Sequence, residues 1–152
     1  MLSTFQKLNL GQHVQALVLN SPQSFEPEIA ALRGVTILRE IEDADGLEFS
    51  LAFVTKQEEV DRLAPAIASA AGGDAVIWFA YPKGSSKRYK SEISRDRGWQ
   101  IFGDLGFEPV SGIAIDEDWS ALRFRRVEFI KTMKRAEHHR LSAQGKARKA
   151  GK

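Results

Sequence analysis

The sequence predicts an α/β fold, a three-layer sandwich around a mostly parallel sheet of about six strands. Short apolar segments rich in β-branched residues alternate along the 152 residues with segments of helical periodicity. Segment 74–82, DAVIWFAYP, is apolar without alternation, as expected for a central strand that is covered on both faces. A chain of this length forms one ordinary domain and buries roughly 70% of the surface that its unfolded form exposes.

The first half of the chain predicts three strands and one short helix. The first strand is expected at 13–20, because this apolar run ends in the turn signal Asn-Ser-Pro. A short helix follows at 25–32, with a proline near its start and a glycine beyond its end. Two further strands, 35–41 and 47–55, flank an acidic loop that contains Gly46.

The second half predicts two more helices around the central strand. A helix at 57–73 carries apolar residues at helical spacing, closes on two glycines and is expected to kink at Pro65. The next helix is expected at 98–107. Its packing face would consist of Trp99, Ile101, Phe102 and Leu105.

The last predicted elements are two strands and a short helix. Strands at 109–116 and 120–129 are separated by so few residues that they should form an antiparallel hairpin. Arginines alternate with apolar residues in the second of them, which indicates one solvated face. A short helix is expected at 130–141.

The preferred spatial order of the strands is 2-1-3-4-6-5, similar to a trimmed methyltransferase-like or Rossmann-like sheet. Only about six residues link the second and third strands, whereas a parallel crossover usually needs a dozen or more. These two strands could therefore pair as a hairpin instead, which would change the order.

Composition predicts the extent of the domain and the cellular compartment. One α/β domain is expected over residues 1–135, followed by a basic tail at 136–152 that is poor in apolar residues and is expected to be disordered. The chain has no cysteine, which excludes disulfides and cysteine-ligated zinc. The longest apolar run, 75–81, is far shorter than a membrane span. The expectation is a cytoplasmic protein without a membrane partner.

The formal net charge of +2 conceals a strong asymmetry. Residues 1–55 carry three cations and seven anions, whereas residues 122–152 carry eleven cations and two anions. Residues 83–97, called the basic loop below, carry six cations and two anions directly after the central strand.

The basic loop is the candidate binding site. Open α/β sheets bind ligands outside the carboxyl ends of their strands, where the strand order reverses. Here that edge comprises the loops after the first, third and fourth strands, including 81–90. Lysines and arginines would supply charge for an anion, serines would donate hydrogen bonds, and aromatic rings would form an apolar wall. The candidate ligand-binding residues are Tyr81, Lys83, Ser85, Ser86, Lys87, Arg88, Tyr89, Lys90, Asp118 and Trp119.

Each part of this site has a plainer alternative. A loop rich in lysine and arginine is often merely solvated, and Tyr81 and Tyr89 could pack on the sheet edge instead of stacking on bases. The carboxylates of 116–118 could hold a hard cation. They could equally form a solvated hairpin tip with Trp119 folded back as a cap, or pair with the cations of the basic loop.

No cofactor, metal site or catalytic group is predicted. Dinucleotide and methyl-donor enzymes need glycines after the first strand, whereas this chain has NSPQSFEPE there. His13 lies at the opposite edge, and His138 and His139 lie in the basic tail. No nucleophile–base motif is visible.

The segments WFAYPKG, GWQIFGDLGFEPV and AIDEDWSALRFRR resemble a bacterial family of proteins of unknown function. The resemblance is firmest over residues 74–127. It implies one soluble domain and assigns no activity. The matching positions are Pro82, Lys83, Asp118, Trp119 and Ser120.

Three functions from different classes follow. The leading hypothesis is a non-enzymatic binding or interaction domain whose basic loop receives an anionic small molecule or an acidic protein surface. The second is nucleic-acid binding through loop and tail together, and the third is an enzyme of unrecognised type that uses the same edge. A homodimer is also open, because edge strands or the apolar residues of 2–10 could form an interface. Those N-terminal residues could instead cover the core.

Overall fold

The computed structural model of the chain describes residues 3–130. The strands are β1 (Gln15–Leu19), β2 (Thr36–Leu38), β3 (Leu47–Phe53), β4 (Ala71–Pro82), β5 (Phe107–Ala114) and β6 (Trp119–Arg126). The helices are α1 (Thr4–Lys7), α2 (Glu26–Ala30), α3 (Gln57–Ala70) and α4 (Gln100–Asp104). None of these helices combines the length and the apolar character that a bilayer-crossing helix requires.

The six strands form one sheet in the order β2-β1-β3-β4-β6-β5, so the predicted order is confirmed. β1 pairs in parallel with β2 and β3, and β3 pairs in parallel with β4. β6 lies between β4 and β5 and runs antiparallel to both. The chain therefore has the predicted α/β fold, a mostly parallel sheet closed by an antiparallel hairpin.

The short link between β2 and β3 does not form a hairpin, because the two strands flank β1 on opposite sides. The link crosses β1 with a single 3₁₀ turn, Ile41–Asp43, in place of a helix. Ile41 and Ala44 pack on the core from this turn. One turn suffices because the crossover spans a single strand.

α3 and α4 cover one face of the sheet. Val60, Leu63 and Ile67 of α3 are buried there. At the α4 end, the Phe102 ring stacks on the Phe124 ring with centroids 3.9 Å apart. This face supplies the larger part of the apolar core, which is the dominant stabilising contribution in a domain of this size.

The N-terminal segment and α2 cover the opposite face. Phe5 and Leu8 are buried in this second cluster, and the indole Nε1 of Trp78 donates a 2.7 Å hydrogen bond to the Leu8 carbonyl oxygen. The N-terminal apolar residues described by the structure thus cover the core. The apolar pattern of the first ten residues does not predict α1, although Ser3 and Gln6 form a reciprocal capping box at its start.

Other details differ from the prediction. α3 ends at Ala70, before the two glycines expected to close it at 73, and Pro65 lies inside it. α4 is much shorter than 98–107, because the chain leaves the helix at Gly106 with a positive φ of 88°. Leu105, expected on its packing face, is 37% exposed. Most of the predicted helix 130–141, and all of the tail 136–152, lie outside the described residues.

The last strand holds a contact that alternation alone would not reveal. Arg123 and Arg125 of β6 lie on one face, whereas the Arg126 guanidinium reaches the carbonyl oxygens of Ala68 and Ala71 at distances of 3.0 and 2.9 Å. These carbonyls belong to the end of α3 and the start of β4. A cation at a helix C-terminus satisfies carbonyls that have no partner within the helix.

Candidate functional site

The basic loop leaves the sheet at the carboxyl ends of β3 and β4. Its first residue extends the pairing of β4 with β6, because the Lys83 N–H donates to the Asp118 carbonyl oxygen at 2.8 Å. The loop then passes from the β6 side of the edge to the start of α3. It is tied down at both places.

The first tie is centred on Ser86. Its Oγ donates to the Asp118 carboxylate at 2.9 Å and accepts from the Tyr89 N–H at 3.1 Å. The Tyr89 ring packs on the Trp119 ring with centroids 4.9 Å apart. The hairpin tip is itself closed, because Asp116 Oδ1 accepts from the N–H groups of Asp118 and Trp119. Residues 115–118 thus form the turn of the β5–β6 hairpin, as predicted, and the buried Trp119 packs on Phe53 and Tyr89.

The second tie joins the loop to the start of α3. The Glu92 N–H donates to the Thr55 carbonyl oxygen, and the Glu92 carboxylate accepts from the Gln57 N–H, both at 2.9 Å. Gln57 Nε2 in turn donates to the Gly98 carbonyl oxygen at 2.9 Å, and Ile93 is buried in the core between these contacts. A carboxylate at the first turn of a helix accepts a hydrogen bond from a free N–H and interacts favourably with the positive end of the helix dipole.

The backbone conformation and the close packing at position 98 both require glycine. Its φ is +105°, and a Cβ at this position would lie 3.2 Å from Ile93 and from Gln57 Oε1. Neither periodicity nor a motif pointed to Glu92, Ile93 or Gly98. The available signal was an isolated apolar residue and a glycine inside a charged loop.

The cations of the basic loop have no partner among the described carboxylates. Lys83 is half-buried, and the other five are exposed: Lys87, Arg88, Lys90, Arg95 and Arg97. The ion pairs found within residues 3–130 lie elsewhere and involve His13, Arg39 and Arg125. The hairpin tip contacts the loop through the Ser86 hydroxyl and the Lys83 N–H, and not through an ion pair as one alternative proposed.

The aromatic residues predicted as an apolar wall are largely covered. Tyr81 is 7% exposed and packs edge-on against Trp99, and burial raises the pKa of its phenol. Trp119 is 4% exposed and lies between Phe53 and Tyr89. Tyr89 is half-buried. The structure thus brings the predicted lysines, Arg88 and the exposed Ser85 together at the surface, while Tyr81 and Trp119 belong to the core beneath it.

The neighbouring loops after β1 and β2 are closed by an ion pair. Both guanidinium NH groups of Arg39 donate to the Glu26 carboxylate at 2.9 Å, and the Ser21 hydroxyl also donates to it. The Arg39 hydrogen bonds, helped by Ser21, lower the pKa of Glu26 to about 2. This cluster joins the end of β2 to the beginning of α2.

These residues do not fit the cofactor that the sheet order implies. Asn20 follows β1 in the left-handed conformation that a glycine would take there, with φ of 58°, and Ser21 and Pro22 come next. A methyl donor or dinucleotide needs close backbone approach at this turn and commonly a carboxylate after β2. Asn20 and Ser21 bring side chains to this turn instead of glycines; after β2, Arg39 is paired with Glu26, and the exposed Glu40 is the next residue.

Two pockets lined by described residues do not include the cations of the basic loop in their walls. One, of about 460 Å³, is at the amino edge between α1 and the residues before β2. The other, of about 550 Å³, lies between α3 and α4 and is lined by Asp61 and Asp104. Its two carboxylates give it the wrong sign for an anion.

Comparisons with known proteins give only distant likenesses to solved structures. No protein-family model matches the chain, and no curated protein matches its sequence. Among solved structures, it is similar to magnesium protoporphyrin IX methyltransferase (ChlM) from Synechocystis PCC 6803 with bound SAM, at 14% identity and a TM-score of 0.49, over 81% of this chain and 74% of that chain. It is also similar to the N-methyltransferase NodS from Bradyrhizobium japonicum WM9, at 11% identity and a TM-score of 0.48, over 81% of this chain and 93% of that chain. Likeness at this level supports no statement about activity.

Proposed function

We propose that this chain is a non-enzymatic interaction domain whose basic loop binds an anionic partner. The observation that carries the proposal is a set of five exposed cations, with none of the described carboxylates in ion-pair range, on a loop tied at both ends. Two nearby carboxylates are engaged otherwise, since Asp118 accepts from Ser86 and Glu92 accepts from Gln57.

Preorganisation favours this function. Binding costs free energy when a loop must be ordered, about 0.5–1.5 kcal/mol for each immobilised long side chain and more for the backbone. The Ser86 and Glu92 ties have already fixed the backbone in the free protein. An anion that binds here relieves the mutual repulsion of the loop cations. The loop backbone that carries them does not have to rearrange.

The positions that carry the family resemblance meet at the base of this loop. Pro82 pairs with Trp119, and Lys83 bonds to Asp118 through its N–H. We propose that the shared residues serve to hold the loop, whereas the exposed cations contact the partner.

Retention on a heparin column tests the proposal. The loop variant replaces Lys87, Arg88 and Lys90 with glutamine, and the control variant replaces the exposed Lys7, Arg33 and Arg62 with glutamine. Both lose three positive charges and keep the whole C-terminal segment. The loop variant should elute at clearly lower salt than the control. Equal elution of two folded variants, as judged by circular dichroism and melting temperature, would contradict the proposal.

The enzyme hypothesis gains no separate support from the pKa shifts at this edge. The pKa of Glu26 is lowered by its ion pair with Arg39, and that of Tyr81 is raised by burial. Both causes are structural, and neither group is set up as an acid or base toward a described pocket.

A further inference from the structure

Resting on the proposed function, we infer that the anionic partner is the phosphodiester backbone of double-stranded nucleic acid, bound without recognition of base sequence. Three features of the basic loop select this partner class. They are the use of its N–H groups, the lack of a large exposed apolar side chain, and the packing of its aromatic residue, Tyr89, on the buried Trp119.

The first feature disfavours a small phosphate or carboxylate. Small anions are held by converging backbone N–H groups, as at helix N-termini and glycine-rich loops. Seven N–H groups of residues 83–97 already donate within the protein: those of Lys83, Ser86, Tyr89, Glu92, Ile93, Ser94 and Arg97. The loop thus offers side-chain charge spread over a surface, and about half of its N–H groups are already engaged within the protein.

The second feature disfavours an acidic protein surface. Protein interfaces derive most of their affinity from a few residues in the centre of the contact, most often tryptophan, tyrosine and arginine held in well-packed pockets. The large apolar side chains exposed within residues 3–130 are Val14, Leu105 and Val110, and none lies in the basic loop. Phosphodiester backbones need no such anchor, because cations supply essentially all of the affinity in binding that ignores base sequence.

The third feature separates double from single strands. Proteins that prefer single strands stack bases on exposed aromatic rings, worth about 1–3 kcal/mol per base. Tyr81 and the neighbouring tryptophans are buried, and Tyr89 is packed on Trp119. A duplex compensates for the missing stacking with its higher charge density. Lys56, exposed beside the Thr55 carbonyl that anchors Glu92, adds a further cation next to the loop.

The salt dependence of binding gives the expected magnitude. If the six loop cations each neutralise about one phosphate, they contribute about −5 to the slope of log affinity against log salt, or roughly a 1,000-fold loss between about 50 and 200 mM salt. Replacing three of them should make the slope shallower by about 3. Because every variant keeps residues 131–152, any contribution from that segment cancels in the difference.

The experiment is fluorescence anisotropy of a labelled duplex DNA of random sequence, titrated with the full chain over a salt series. The same titration is made with a single strand of equal length and with labelled poly-glutamate. The wild type should bind the duplex more tightly than either. The slope for Lys87→Gln/Arg88→Gln/Lys90→Gln should be shallower by about 3, while Lys7→Gln/Arg33→Gln/Arg62→Gln leaves it nearly unchanged.

Each other outcome overturns the inference. Tighter binding of the single strand, or equal slopes in the two variants, would exclude a duplex backbone held by this loop. If poly-glutamate binds and the duplex does not, and if the loop variant loses the binding of poly-glutamate, the inference of a duplex partner is overturned. The proposed function then still stands. No binding of any probe, together with unchanged heparin retention, would overturn both.

Discussion

Replacing Gly98 with alanine is expected to destabilise the protein by about 2–4 kcal/mol. The first contribution is backbone strain, because φ of +105° lies where L-residues rarely sit and costs roughly 1–3 kcal/mol. The second is overpacking, since the added Cβ would lie 3.2 Å from the buried Ile93 side chain and from Gln57 Oε1, at a cost of about 1 kcal/mol or more. The same glycine accepts, through its carbonyl oxygen, the Gln57 hydrogen bond that joins the loop to α3.

Urea denaturation and thermal melting of the variant measure this effect. For a chain of this length, about 2–4 kcal/mol corresponds to a fall in melting temperature of roughly 6–12 °C. Gly84 in the same loop is the matched control, because a Cβ there would meet nothing within 4 Å and its φ is not positive. Gly84→Ala should change the free energy of unfolding by less than about 0.5 kcal/mol. Equal effects at both glycines would refute the reasoning that the loop is rigidly tied.

Three further predictions concern the core and the carboxyl edge. The buried Ser50 hydroxyl has no hydrogen-bond partner among the described residues, so Ser50→Ala should raise the free energy of unfolding by about 0.5–1 kcal/mol; a loss on urea denaturation would show that it has one. Trp78→Phe should cost about 1–3 kcal/mol by leaving the Leu8 carbonyl oxygen unpaired, and native-state hydrogen exchange should then show opening of the N-terminal segment before the sheet. For Glu26, Arg39 lowers the pKa from 4.5 to about 2, so the carboxylate stabilises the fold above about pH 4.5 and this contribution is lost as pH falls toward 2. Glu26→Gln should therefore be less stable than wild type near neutrality, and a stability difference that stays constant down to pH 2 would contradict the assignment.

Much of the fold was readable from the sequence because the sheet is built from local apolar signals. Segment 74–82 lacks alternation and forms the strand β4, buried on both faces along most of its length, and the spacing of Val60, Leu63 and Ile67 gave α3. The strand order also followed, since alternating strands and helices leave few right-handed arrangements. The errors were local. α4 ends early because Gly106 takes a positive φ. The capping box of α1 lies in a segment with too few apolar residues to predict a helix.

The candidate site was only partly readable. Sequence placed six cations at the carboxyl edge, because the loop that follows a buried parallel strand must emerge there. It could not decide whether nearby carboxylates neutralise them, since Asp118 and Glu92 are close in any plausible fold. Their distances to Ser86 and Gln57 resolve this question.

The sequence by itself determined the layers and the sign of the charge at one edge, because each depends on patterns that neighbouring residues along the chain impose. It favoured the observed strand order, and the parallel pairing of β2 and β3 with β1 settled it. Only the tertiary structure decided which rings face the solvent and which charges are paired. Tyr81 and Trp119 read as surface aromatics in a basic context, yet packing against Trp99 and Phe53 buries them. Arg39 and Glu26, thirteen residues apart, close the neighbouring loops through a contact that no local pattern encodes. Such contacts depend on side chains that folding brings together from separate elements, and their geometry is fixed only when the sheet has assembled.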